Sequence, residues 1–215
     1  MDHATLKQRH REEREAYPPA LALRTHRALS WLYRAEQESE DKDARFIFLW
    51  IAFNAAYANE LHEPGMLSEK GRFDHFIELL IQRDQHKLLH NCLWQAFPSS
   101  VRALIDNHYV FQPFWDHHNG KSMGDWQAAF ATSKAAALRA LGNSDTAKVL
   151  MIVMTRLYTL RNQLIHGGAT WNSQVNRNQV RDGANLLQQL VPAMISVMMD
   201  NPGQLWGDAC YPVVE

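Results

Sequence analysis

The chain has 215 residues, 46% of them hydrophobic, which is enough for one sizeable core, so a single domain over 1–215 is expected. Lys and Arg total 22 against 23 acidic residues; this excludes the global positive field of a typical DNA-binding domain and leaves only local patches for nucleic acid. The longest apolar run, Phe46 to Phe53, falls far short of the roughly 20 residues a membrane span needs. The first seventeen residues lack the apolar stretch of a secretory signal, and the cysteines, Cys92 and Cys210, have no CxxC partner. A cytoplasmic protein with no membrane association is expected.

Residues 1–18 read as a charged leader ended by Pro18 and Pro19. From Ala20, Leu21, Ala28, Leu29 and Leu32 recur at helical spacing as far as the acidic stretch Glu36 to Asp43. Asp41 or Asp43 can cap a second helix carrying Phe46, Leu49, Trp50, Phe53, Ala56, Tyr57 and Leu61. Glu63-Pro64-Gly65 breaks it. Ser68 offers a cap for a third helix through Phe73, Phe76, Ile77 and Leu80, extending to about Trp94.

Residues 62–142 read as an insertion into a simpler bundle. Pro98, Pro113, Gly120 and Gly124 leave room there for a short helix near Arg102 and another from Asp125 to Leu141. Asn143-Ser144-Asp145 then caps a helix with the stripe Val149, Val153, Leu157, Leu160 and Leu164, stopped by Gly167-Gly168. A last helix carries Val180, Ala184, Leu187, Val191, Met194 and Met198, with an expected kink at Pro192. No alternating pattern marks a sheet and no long repeat is visible, so the fold class is all-α, a helical bundle.

Two polar residues interrupt apolar stripes. Arg161 lies four residues after Leu157 and three before Leu164, where a guanidinium needs either a structural ion pair or an anion such as carboxylate or phosphate. His166 follows at about 140° around an ideal helix, so the two share a face only if the last turn bends or unwinds. Its bland role is a C-capping histidine. Asn54, between Trp50 and Tyr57, is either a buried amide on a backbone carbonyl or a supporting group for the site.

Arg161, Asn162 and His166, an Arg and a polar residue with His after four intervening positions at the end of a capped helix, resemble the signature of HEPN domains. Trp50 to Asn54 and Tyr57 resemble the second helix of some members. The resemblance covers about 41–61 and 143–199. Arg102 and His108 satisfy the bare spacing too, without the Asn or the terminal glycines. It implies a HEPN-like four-helix up-and-down bundle, with additional helices inserted between the second and penultimate core helices. It also implies a homodimer whose two motifs face one groove, and a metal-independent endoribonuclease needing no cofactor. In such an enzyme His166 would move the proton as an RNA 2′-hydroxyl attacks the adjacent phosphate. Arg161 would stabilise the phosphorane charge, and Asn162 would orient the phosphate or His166. A toxin or defence effector with an antitoxin or regulatory partner is implied by the same analogy; the alternative is a non-catalytic dimeric interaction or nucleotide-binding module.

His86 and His90 are four apart without a third zinc ligand, so no metal site is expected. His117-His118 reads as an exposed loop, Trp94, Trp115 and Trp126 as core or interface, and Cys92 as a packed thiol.

Overall fold

A computed structural model describes residues 1–57, 69–96, 98–204, 206–209 and 211. Among these the chain is all-helical, with ten α-helices and no strand. The charged leader, for which the sequence pattern predicts no helix, forms α1 (His3–Glu13), started by the Asp2 carboxylate accepting from the Thr5 amide at 3.0 Å. It buries Leu6 and His10 against α2 (Pro19–Glu36), which opens on a proline at its first turn. Asp41 caps α3 (Lys42–Tyr57) by accepting from the Ala44 amide at 2.9 Å; the expected continuation to Leu61 and the Ser68 cap lie outside the described residues.

The third helix ends earlier than its apolar pattern predicts. After α4 (Glu69–Arg83), Asp84 turns the chain, its two carboxylate oxygens accepting from the Leu88 and Leu89 amides at 2.8 Å while Lys87 takes a left-handed conformation. This local competition stops α4 and starts the short α5 (Leu88–Asn91), which runs into a π-turn over Cys92–Ala96. Then follow α6 (Pro98–Asp106), a 3-10 turn (His108–Val110), α7 (Gln112–His118) and α8 (Trp126–Gly142). The helix near Arg102 and the one after Asp125 are present as expected. Helix α7 is an addition to the pattern, and His117 and His118 end that helix instead of lying in a loop.

Within the segment read as an insertion, α4 to α6 and the π-turn feed Phe76, Ile77, Leu80, Leu89, Leu93, Val101, Leu104 and Ile105 into the common core. By contrast, α8 buries only Ala137 and Ala140 there, with Leu141 packed against the edge of the core. The core centres on α10 (Arg177–Asp200), in which every residue from Val191 to Met199 is buried. An all-round apolar surface of that kind needs neighbours on every side, and α1 to α6 and α9 (Thr146–Ile165) supply them. The helix runs through Pro192 without interruption. Among the described residues no helix is long and apolar enough to cross a membrane.

Trp31 stacks on Phe48 at 5.7 Å and Arg24 donates to the Ala56 carbonyl at 2.9 Å, so α2 and α3 run antiparallel. Trp50 meets Tyr158 at 6.1 Å while Asp41 accepts from the indole of Trp171, which sets α3 antiparallel to α9 as well. At their junction with α10, a Cβ on Gly183 would come within 3.0 Å of Leu157 and Phe46 side-chain carbons, so glycine is what lets the three helices meet.

Candidate functional site at the end of α9

Asp145 starts α9 by accepting from the Lys148 amide at 3.0 Å, and Gly167, at φ +72°, ends it. The His166 amide still donates to the Asn162 carbonyl at 3.0 Å. Gly168 folds back so closely that a Cβ there would stand 3.2 Å from the Gln163 carbonyl oxygen. The two glycines thus set where the helix stops and leave the imidazole of His166 exposed at its C-cap.

The helical step of about 100° places Tyr158, Asn162 and Ile165 on the outward face of α9, with Arg161 at the border between that face and the core. Tyr158 and Ile165 are 45% and 43% exposed, large apolar groups left in water on either side of the half-buried Arg161. The Arg161 Nη1 donates to the Asn162 Oδ1 at 2.9 Å, and its Nε is buried without a partner. No carboxylate among the described residues pairs with Arg161, so the ion pair that would explain a guanidinium here is absent from the chain's own described contacts.

Because α9 stays helical through Ile165, the last turn does not swing His166 onto the face of Arg161. The two positions remain about 7.5 Å apart along the axis and about 140° apart around it, and no hydrogen bond joins them. Asn54 is half-buried on α3, and its amide makes no hydrogen bond to a described residue. It lies beyond the Trp50–Tyr158 contact, about 10 Å from the level of Arg161 by helical rise. Arg161 and Asn162 are therefore in contact, and His166 and Asn54 stand apart from them within one chain.

The loop leaving His166 is tied down. Asp43, buried at the start of α3, accepts from both the Asn172 amide at 3.1 Å and the Arg177 guanidinium at 2.7 and 2.8 Å, and Trp171 donates to Asp41 at 2.9 Å. Of the two cap candidates in the sequence, Asp41 is the cap and Asp43 is this anchor. On the other side, Gln163 donates to the Tyr109 carbonyl at 2.5 Å, joining α9 to the 3-10 turn.

The fully buried cation of α9 is Arg156, which periodicity does not single out. Its guanidinium lies 4.4 Å from the Phe111 ring centre and 5.4 Å from Phe130, and it donates to the Ser133 hydroxyl at 3.1 Å. Its Nε has no partner, and burial pushes its pKa down to about 10. The available signal is two aromatic residues, Phe111 in the stretch read as punctuation and Phe130 in the helix expected after Asp125.

His86 sits in the turn before α5 and His90 within it, so they do not share the helical face a zinc pair needs; among the described residues no group of three ligating side chains converges. Cys92 is half-buried, and burial followed by the nearby Asp84 raises its thiol to about 11. Cys210 lies outside the described residues. Trp94 packs against the core and donates to Thr146 at 3.3 Å, as expected, whereas Trp115, which donates to the Tyr109 carbonyl at 2.8 Å, and Trp126, edge-on against Phe114 at 4.9 Å, lie outside the core cluster. One shallow concavity of about 530 Å³ is lined by Met1, Asp2, Thr5, Glu36, Gln188 and Gln189, and another of about 50 Å³ lies between α6 and α10; neither is lined by Arg161 or His166. Comparison of the chain with models of protein families, with curated proteins and with solved structures found no match in any of the three.

Proposed function

We propose that this protein is a metal-independent endoribonuclease of HEPN type, working as a homodimer. The observation that carries the proposal is the Arg161 guanidinium. It is half-buried, it has no carboxylate partner among the described residues, and it shares its helix end with an exposed imidazole. A cation in that condition gains most from an anion with paired oxygens, and an RNA phosphate is one. Within one chain Arg161 and His166 diverge, so the composite site is built from two copies of the helix end across a twofold axis. Exposed Tyr158 and Ile165 provide apolar area for that contact.

In the reaction the 2′-hydroxyl oxygen attacks the adjacent phosphorus, its proton passes to His166, and the 5′-oxygen leaves and takes up a proton. The products carry a 2′,3′-cyclic phosphate and a 5′-hydroxyl. Arg161 binds the non-bridging oxygens as charge builds on the phosphorane, and Asn162 holds the guanidinium in place. A cytoplasmic toxin or defence effector restrained by a partner protein would suit such an activity. The near-neutral charge favours a second reading, in which the same helix ends dimerise and hold a nucleotide without cleaving RNA.

The test is incubation of purified protein with RNA, with and without chelator, alongside Arg161→Ala and His166→Ala. Cleavage that survives chelation and is lost in folded, dimeric variants supports the enzyme. Full activity of His166→Ala overturns it.

A further inference from the structure

The helical hairpin of α1 and α2 carries a line of cations that the site on α9 does not use. The helices run antiparallel: the His3 ring lies 4.9 Å from Tyr33, Lys7 Nζ stands 3.2 Å from His26 Nδ1, and His10 Nε2 is 3.2 Å from the Ala22 carbonyl. At about 100° per residue, His3, Lys7 and Arg11 share one face of α1, continued by Arg14, its helical C-cap, opposite Tyr33, Ser30 and His26 on α2. The acids of α1 are engaged elsewhere. Glu13 binds Arg9 and Tyr17, Glu12 accepts from Gln8 at 3.1 Å, and Asp2 caps the helix. Among the described residues no carboxylate pairs with Lys7, Arg11 or Arg14.

Two further observations mark the groove. His10 is 2% exposed, and its buried Nδ1 has no partner. Burial and then neighbouring cations, Lys7 and Arg14 among them, hold the imidazoles of His10 and His26 below their ordinary range; the charges bearing on both are all positive. At the His3 end the Glu36 carboxylate accepts from the His3 amide at 2.8 Å, so it is between Lys7 and Arg14 that a chain with a formal charge of −1 gathers like charges, at a cost that a bound anion would relieve.

We propose that the α1–α2 groove binds the phosphodiester backbone of single-stranded RNA, with Lys7, Arg11 and Arg14 taking successive phosphates and Tyr33 offering its ring to a base. The cations follow one another at about 4.5 to 6 Å of helical rise, which forms a track and not a disc. Tyr33 is 51% exposed, and an aromatic face beside a basic track is the arrangement that holds single strands. A membrane surface would call for several apolar side chains beside the cations, and the outward face of α1 has none. The assignment extends the proposed ribonuclease and rests on that reading for the choice of RNA over DNA.

The experiment is fluorescence anisotropy of the full chain with an uncleavable 2′-O-methyl oligonucleotide of about 12 nucleotides, over a range of salt. Arg11 and Arg14 are exposed, so Arg11→Gln with Arg14→Gln leaves the fold intact. The double variant is expected to bind more weakly, with its log–log salt slope smaller by about 1.4, at about 0.7 for each phosphate no longer neutralised. An NMR titration should shift the His26 ring resonances in the wild type. Unchanged affinity and slope in the double variant, or no binding by the wild type, overturns the proposal. So does variant-sensitive binding to phosphatidylserine vesicles without RNA binding, which would assign the groove to membranes. Binding that depends on Arg11 and Arg14 in a protein that cleaves nothing would leave this site standing and remove the ribonuclease. Cleavage unaffected by the double variant would do the reverse.

Discussion

Replacing Asp43 by Ala removes the carboxylate that anchors the loop after His166. Asp43 is 5% exposed and holds the Arg177 guanidinium through both oxygens as well as the Asn172 amide. Breaking a fully buried pair from one side costs about 3–5 kcal/mol. The Arg177 side chain is 23% exposed, so water reaches the orphaned guanidinium and the expected loss is about 2–3 kcal/mol. For a chain of this size that corresponds to a fall in Tm of about 5–10 °C. Urea unfolding of Asp43→Ala, Arg177→Ala and the double variant measures it. The double variant should cost less than the sum of the singles, with a coupling of about 1–3 kcal/mol. The proposed RNA cleavage should fall further than the loss of folded protein explains, because the loop that follows His166 is released. Single variants that each cost under about 0.5 kcal/mol and add simply would refute the anchor.

Arg156→Met should leave stability unchanged or raise it by about 1 kcal/mol in urea unfolding, since a buried guanidinium without a carboxylate is replaced by a side chain that fills the same space. Arg156→Ala should cost about 2–4 kcal/mol by opening a gap between Phe111 and Phe130. Gly183→Val, driven into Leu157 and Phe46, should cost at least about 2 kcal/mol and lower the thermal midpoint. Burial is the largest cause holding His3, His10 and His26 below the ordinary imidazole value of 6.5. Just under that pH the unfolded chain therefore binds more protons than the folded one. Stability should fall as pH drops below about 6.5, visible as a lower urea midpoint, and His10→Gln should lessen the fall.

The long helices are legible because each carries a continuous apolar stripe between chemical stops: Asp41 and Asp145 as caps, Gly167 as a terminator. What periodicity misses is decided by side chains competing with the backbone or by tertiary cover. The apolar pattern continues past Arg83, but Asp84 offers two carboxylate oxygens to the next amides and ends the helix. Residues 3–13 read as a leader because only Leu6 and His10 of that helix are buried, too few for a visible stripe. In the candidate site, Arg161 and Asn162 stand out because both interrupt or adjoin an apolar stripe. The burial of Arg156 does not, since its cover comes from Phe111 and Phe130, far away in sequence.

The chemistry of the cut ends bears most directly on the proposed activity. A labelled RNA incubated with the protein in excess chelator should yield fragments ending in a 2′,3′-cyclic phosphate, and His166→Ala with unchanged circular dichroism and thermal midpoint should yield none. Fragments ending in a 3′-hydroxyl, or the same cyclic ends from His166→Ala, would contradict it.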